Sequence, residues 1–180
     1  MQHAAVHAVL ACRAFLAVLF IVSVHGKARR GTAYRRFEEA VERLLPSWPP
    51  TRMLGSRRIA ALVLVAEAGV PVLVAVPATA PAGLLLGAAL LLVFAGMLAR
   101  AVRAGHDGAC HCFGESARPV GRGQVIRNLV LGSAALAAAG IAARGGTAGL
   151  EGTLVAVLAG ALLAVLVVHA EDIGDLFRSL

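Results

Sequence analysis

Five stretches of this chain stay apolar for about twenty residues each, near 4–24, 59–76, 82–102, 123–143 and 150–169. Nothing else in the sequence narrows the fold as much. A helix rises ~1.5 Å per residue, so ~20 residues cross a hydrocarbon layer ~30 Å thick. Within that layer a helix satisfies its own backbone N–H and C=O groups, where an open chain cannot. The expected fold is all-α: a polytopic membrane bundle of about five transmembrane helices, a four-helix core plus one, in a single membrane domain over residues 1–180. Composition agrees, because 59% of the chain is apolar and 15% charged, far from the soluble balance. No Lys or Arg precedes the first run and no small-residue site closes it cleanly, so it is read as a retained span rather than a signal peptide. Abundant Ala, Gly, Val and Arg suit a GC-rich bacterial genome, and the expected location is the bacterial cytoplasmic (inner) membrane, in contact with lipid.

The connecting segments differ sharply from the spans. Over about 33–45, Tyr34, Phe37, Val41, Leu44 and Leu45 recur at helical spacing among Arg35, Arg36, Glu38, Glu39, Glu42 and Arg43, the pattern of an amphipathic helix lying in the membrane interface. Pro46, Pro49 and Pro50 end it, with Trp48 as an interfacial anchor. Pro77 and Pro81 mark a tight, uncharged turn. Gly83 and Gly87 form a G-x-x-x-G, which either permits close helix approach or is a plain small-residue surface. A cysteine loop follows over 103–122, then a Gly-rich turn, "RGGTAG", and an acidic tail with Glu171, Asp172 and Asp175.

The net charge of +7 does not imply nucleic acid, because the basic residues sit between spans. Residues 27–58 and 100–127 hold fourteen of the seventeen Lys and Arg. The positive-inside rule puts those segments in the cytoplasm, with the N-terminus outside and the C-terminus inside. The cysteine loop then faces the cytoplasm, whereas a supplier of disulfides to exported proteins would need its sulfurs where disulfides persist.

Two ionisable residues interrupt apolar spans, Arg13 and Glu67. Each costs several kcal/mol at mid-membrane unless paired, roughly 2.5–3.5 on insertion scales. Counted from His25 and Arg58, they lie at about 18 Å and 14 Å depth on antiparallel helices. The expectation is a buried Arg13–Glu67 pair, either locking two helices or letting Glu67 relay protons.

The cysteines leave three readings open. Cys110 and Cys112 flank His111 in "HDGACHCFGES". The thiolate is the reactive form, and nearby positive charge favours it; Arg103, Arg118, Arg122 and Arg127 are close in sequence, and Lys27 is on the same side. His106 and His111 exchange protons near neutral pH. A disulfide across one residue constrains little chain, so its use is redox rather than structural. A metal reading draws on His106, Cys110, His111 and Cys112, whose sulfur and imidazole donors suit zinc or copper, although a second separated pair would have to be His106 and His25. An inert loop is the third. Cys12, in the first span, is an ordinary small apolar residue or a relay thiol.

Taken together, these residues resemble the MauE family of methylamine-utilisation membrane proteins, related to the DoxX-like proteins. Arg13 lies in the first span, Gly26 and Lys27 close it in "HGKARR", Pro46 follows the amphipathic helix, and "AEAG" puts Glu67 in the second span. The most specific part is "CHCFG", Cys110 to Gly114, followed by "RNLVL" with Arg127 and Asn128. The resemblance implies a helical membrane protein linked to disulfide formation or thiol transfer, partnered with a thioredoxin-like protein. In the methylamine system the implied client is an exported, disulfide-rich dehydrogenase subunit.

The resulting reading is a membrane thiol–disulfide exchange component, a thiol–disulfide oxidoreductase if it is an enzyme. Cys110 and Cys112 form the redox pair, Lys27 and Arg127 favour the thiolate, and Asn128 bonds the loop or a bound group. Arg13 and Glu67 hold the helices beneath, with Glu67 and His111 as candidate proton carriers. A quinone is the candidate electron acceptor by analogy with other membrane disulfide-forming enzymes; no sequence feature marks its site. The rivals are a non-enzymatic membrane scaffold, with dispensable cysteines, and a metal-handling membrane protein.

Overall fold

The computed structural model describes residues 2–29, 31–44, 55–103, 122–145 and 149–178. The segments around Trp48 and around Cys110, His111 and Cys112 lie outside the described residues. Six helices form among the described residues: α1 (Gln2–Ala28), α2 (Gly31–Leu44), α3 (Ser56–Ala75), α4 (Ala80–Arg103), α5 (Arg122–Ala142) and α6 (Leu150–Arg178). All except α2 are long and apolar enough to cross a membrane. The acidic tail is therefore not separate from the last span, because α6 continues through it.

α1, α3, α4 and α5 pack in a ring, each against the next, and α6 packs on α1 alone among the helices. The four-helix core plus one is thus the observed arrangement. Leu16 and Phe20 of α1, Val70 and Val74 of α3, Leu84, Ala88 and Leu91 of α4, and Ala135 and Ala139 of α5 fill its centre. Large apolar side chains point outward instead, among them Leu62, Val65, Val93, Val130, Leu136 and Leu158. So many exposed Leu and Val are costly in water, and hydrocarbon is the solvent in which they are stable. The chain is a multi-pass membrane protein.

Small residues set the helix spacing. A Cβ on Gly83 would fall 2.8 Å from the Val74 backbone nitrogen, and one on Gly132 would fall 2.9 Å from Leu92. The G-x-x-x-G at Gly83 and Gly87 is therefore a close-approach surface, where α4 crosses α3 and faces Leu16 and Phe20 of α1. Tightest of all is Gly160 of α6, where a Cβ would lie 2.1 Å from the Ala11 carbonyl oxygen. In α6, Ala156, Gly160 and Ala164 are buried at four-residue spacing, a small-residue stripe against α1.

The turn between α3 and α4 is tight, as Pro77 and Pro81 imply. The last carbonyls of a helix have no partner within it, and here each finds one. Thr79 Oγ1 donates to the Leu73 carbonyl at 2.8 Å. Arg13 Nε donates to the Val74 carbonyl at 2.7 Å and Nη2 to the Ala75 carbonyl at 3.1 Å. The Thr79 N–H donates to the Val76 carbonyl at 3.2 Å. Arg13 is thus a cap for α3, with its positive charge at the negative end of that helix.

The expected Arg13–Glu67 pair does not exist. Its depth count took His25 and Arg58 as marks of one membrane level. In the structure α1 stays helical through Ala28, while α3 begins at Ser56, eleven residues before Glu67. Glu67 is bonded to Ser23 and Lys27, so at ~1.5 Å per residue α3 projects roughly 12 Å beyond the end of α1. Glu67 is then level with Ser23 and Lys27, and Arg13 with the end of α3. α2 packs on the projecting part of α3, where Tyr34 Oη donates to the Arg57 carbonyl at 3.4 Å. The apolar face of α2 rests on the bundle: Phe37 is buried, with Tyr34 and Val41 half-buried.

Candidate functional site

Among the described residues, four polar or charged side chains are buried: Ser23 and Lys27 of α1, Glu67 of α3 and Asn128 of α5. Ser23 and Lys27 are one helical turn apart and so share a face of α1. That face meets Glu67. Lys27 Nζ donates to Glu67 Oε1, forming a salt bridge between side chains that are 4% and 0% exposed. Ser23 Oγ donates to Glu67 Oε2 at 3.3 Å. Both oxygens of the carboxylate are therefore bonded, which a charge in an apolar bundle requires.

Among the described residues, two aromatic rings also face the ammonium. Nζ lies 4.6 Å from the centre of the Phe37 ring, on α2, and 5.3 Å from that of Phe94, on α4. A cation over an aromatic face gains about 2 kcal/mol when desolvated. Lys27 thus has one carboxylate partner and two rings in place of water. Pro71, four residues after Glu67, has no N–H to give to the Glu67 backbone carbonyl, so the α3 ladder lacks a bond at the residue that carries the carboxylate.

Asn128 belongs to the same layer. Gly132 meets Leu92 and Ala88 of α4. Asn128 is one turn earlier on the antiparallel α5, which puts it level with Phe94. Its side chain is 1% exposed, and neither Nδ2 nor Oδ1 has a hydrogen-bond partner among the described residues. A buried carboxamide without partners costs roughly 1–3 kcal/mol per group. Arg127 precedes it on α5, half-buried.

The sequence-predicted site is thus divided. Lys27 and Glu67 come together, and Asn128 lies at about their level, toward the end of the bundle where α4 closes at Arg103 and α5 opens at Arg122. Arg13 is elsewhere, capping α3. Cys110, His111 and Cys112 lie outside the described residues. Cys12 is half-buried against the core, eleven residues before Ser23 and so ~17 Å from the polar layer along α1. Sequence reasoning missed Ser23, although its position four residues before Lys27 was a usable signal. It named Phe37 only as part of an amphipathic face and missed Phe94, which no pattern separates from the other apolar residues of its span. Among the described residues, no group of three or more His, Cys, Asp or Glu is placed to hold a metal ion.

A profile of the family described as "Methylamine utilisation protein MauE" matches residues 5–143. The chain belongs to the MauE family. A curated member, "Methylamine utilization protein MauE" of Paracoccus denitrificans, is 38% identical over 174 residues, covering 92% of this chain and 87% of that protein. The family match spans α1 to α5, and so takes in every residue of the buried polar layer. No solved structure matches the chain.

Proposed function

We propose that this MauE-family membrane protein is a thiol–disulfide exchange component using Cys110 and Cys112, and that it serves the maturation of an exported, disulfide-containing client such as one of methylamine utilisation. The observation that carries the reading is the buried Lys27–Glu67 pair, with an Asn128 that has no hydrogen-bond partner among the described residues, toward the end of the bundle from which the cysteine segment departs. A structural salt bridge alone is weak support for stability, and a carboxamide left without partners adds nothing to it. Chemistry at that end explains both. Residue 103 is nine positions past Phe94, ~14 Å along α4. Cys110 is seven residues further and Cys112 ten before Arg122, tethers that span up to roughly 25 Å and 35 Å. Both sulfurs are within reach of the polar layer.

In one direction, a thiolate of the pair attacks a disulfide sulfur of a thioredoxin-like partner, forming a mixed disulfide and releasing one partner thiolate. The second cysteine then closes the Cys110–Cys112 disulfide and frees the other partner sulfur. The partner gains two electrons and this chain loses two. The reverse sequence reduces this chain instead, and the relative potentials set the direction. Lys27 and Arg127 favour the thiolate, Glu67 holds Lys27 in place and takes or returns a proton, and His111 exchanges protons beside the sulfurs. Asn128 has both the donor and the acceptor that a quinone or quinol oxygen would bond, and it is the residue that would hold such a group. Bound there, a quinone supplies a sink for two electrons and two protons.

Trapping with a thiol reagent, before and after reduction, tests the pair. Cys110 and Cys112 are expected to change state together, and Cys110→Ser or Cys112→Ser each to stop client maturation. Maturation that survives both substitutions makes the protein a scaffold. Stoichiometric zinc or copper lost in both variants makes it a metal handler.

A further inference from the structure

Four arginines gather where α2 meets the tip of α3. Arg57 and Arg58 stand in the first turn of α3, both exposed. Tyr34 Oη donates to the Arg57 carbonyl at 3.4 Å, which brings the first turns of α2, with Arg35 and Arg36 exposed, beside that tip. Among the described residues no ion pair takes up any of the four: Glu67 belongs to Lys27, and Glu39 to Arg43 at 4.0 Å. The first turn of α3 holds no acidic residue. A positive charge there also meets the positive end of the helix dipole. Arg57 and Arg58 therefore stand where they weaken α3, and no described carboxylate offsets them.

Below these arginines α3 turns an apolar face outward. Arg58, Leu62, Val65 and Val72 follow one another four, three and seven residues apart, and so lie on one side of the helix. The last three are 60%, 70% and 68% exposed. Ala60, Glu67, Val70 and Val74 occupy the opposite, buried side. Leu62 to Val72 runs ~15 Å, half of a hydrocarbon layer ~30 Å thick. We propose that this face of α3, with the arginines at its tip, is a binding site for a phospholipid whose headgroup carries a net negative charge.

Both parts of the site fit that molecule. An acyl chain lies along Leu62, Val65 and Val72 through the depth of one leaflet, and the phosphate meets the guanidinium groups above. Guanidinium offers phosphate paired N–H donors, and arginine near an anionic lipid surface is attracted to it. A soluble phosphate makes no use of the apolar face. A zwitterionic lipid carries an ammonium that four arginines repel. The outward face of α5 is built differently: it starts with one exposed arginine, Arg122, and among the described residues α5 packs on neither α2 nor α3.

Quenching of tryptophan by lipids with brominated chains reads the site directly. Trp48, the one tryptophan of the chain, is replaced by Phe, and Val65→Trp places the reporter on the strip. The full chain is set in phosphatidylcholine nanodiscs containing a fixed fraction of brominated phosphatidylglycerol or brominated phosphatidylcholine. Quenching is expected to favour phosphatidylglycerol about tenfold or more, because each arginine near an anionic surface contributes about fivefold. Arg57→Gln with Arg58→Gln is expected to abolish the preference while brominated phosphatidylcholine still quenches, which shows that the strip remains in lipid. Arg122→Gln with Arg144→Gln removes the same charge elsewhere and is expected to keep the preference. Equal quenching by the two lipids before any arginine is changed overturns the proposal. So does equal loss in both arginine pairs, which signals diffuse attraction to the net charge. A Val65→Trp reporter that neither lipid quenches means that protein, a second copy or another partner, covers the strip, and overturns it as well. Inorganic phosphate is expected to weaken the preference no more than sodium chloride at the same ionic strength; suppression by phosphate alone assigns the arginines to a soluble anion instead.

Discussion

At the residue scale, the Lys27–Glu67 pair and the Arg13 cap give opposite answers to one problem. An ionisable group within an apolar span must find a partner, and the two charges found different kinds. Glu67 took a cation and a hydroxyl; Arg13 took the open carbonyls of a helix end. Glu67→Ala leaves Lys27 buried and uncompensated, a loss of roughly 3–5 kcal/mol, read as a large fall in thermal midpoint in detergent. Lys27→Leu combined with Glu67→Leu is expected to restore most of that stability while thiol exchange stays lost. A double-mutant cycle should couple Lys27 with Glu67 and find Arg13 and Glu67 additive; coupling in the second cycle would contradict the observed partners. Asn128→Leu separates cost from use. Removing an unpartnered buried carboxamide is neutral or stabilising, so the melting point is expected to hold or rise while exchange falls. A clear loss of stability would mean the carboxamide has partners in the native protein.

At the element scale, close helix contact is made where side chains are missing. Gly160→Val puts a Cβ and two methyls where the Ala11 carbonyl stands 2.1 Å from the Cβ position, and backbone cannot step aside as a flexible side chain does. α6 packs on α1 alone, so the expected result is release of α6 with the four-helix ring retained. A disulfide cross-link engineered between α1 and α6 should fail to form, while one between α4 and α5 persists. Gly140→Ala, which meets nothing within 4 Å, is the matched control and should change neither. The amphipathic α2 belongs to this scale too. Its apolar stripe was readable as a helix that buries one face, but the stripe says only that something apolar covers it. The exposed end of α3, projecting past α1, is what it found.

At the scale of the whole molecule, the basic residues gather at one end. Arg29, Arg35, Arg36, Arg57, Arg58, Arg100, Arg103 and Arg122 are exposed there, on the side where α1, α2, α4 and α5 meet their connections. The positive-inside rule assigns that end to the cytoplasm. The segment that carries Cys110 and Cys112 departs from that end and returns to it, because α4 leads into it and α5 leads out. With Cys12→Ala as background, a membrane-impermeant maleimide is expected to label reduced Cys110 and Cys112 only after the cytoplasm is opened. Labelling in intact spheroplasts would reverse the orientation and favour direct oxidation of exported clients.

The run lengths, the number of spans, the amphipathic stripe of α2 and the basic end were all legible in the sequence. Each is a local property: apolar length measures membrane crossing, periodicity measures one buried face, and charge placement measures topology. Glu67 was legible as well, as a charge inside an apolar span, and Lys27 and Asn128 through resemblance to a family. Their partners were not. Who meets Glu67 depends on how far α3 slides past α1, and a slide of ten residues leaves both helices equally apolar and equally long. Only packing decides it, through the contact of Gly83 with Val74 and of Gly87 with Leu16 and Val70. The requirement that the carbonyls of Val74 and Ala75 be bonded at the end of α3 acts in the same direction. Those contacts join residues nine to seventy-one positions apart, and they set the register that brings Lys27, rather than Arg13, to the buried carboxylate.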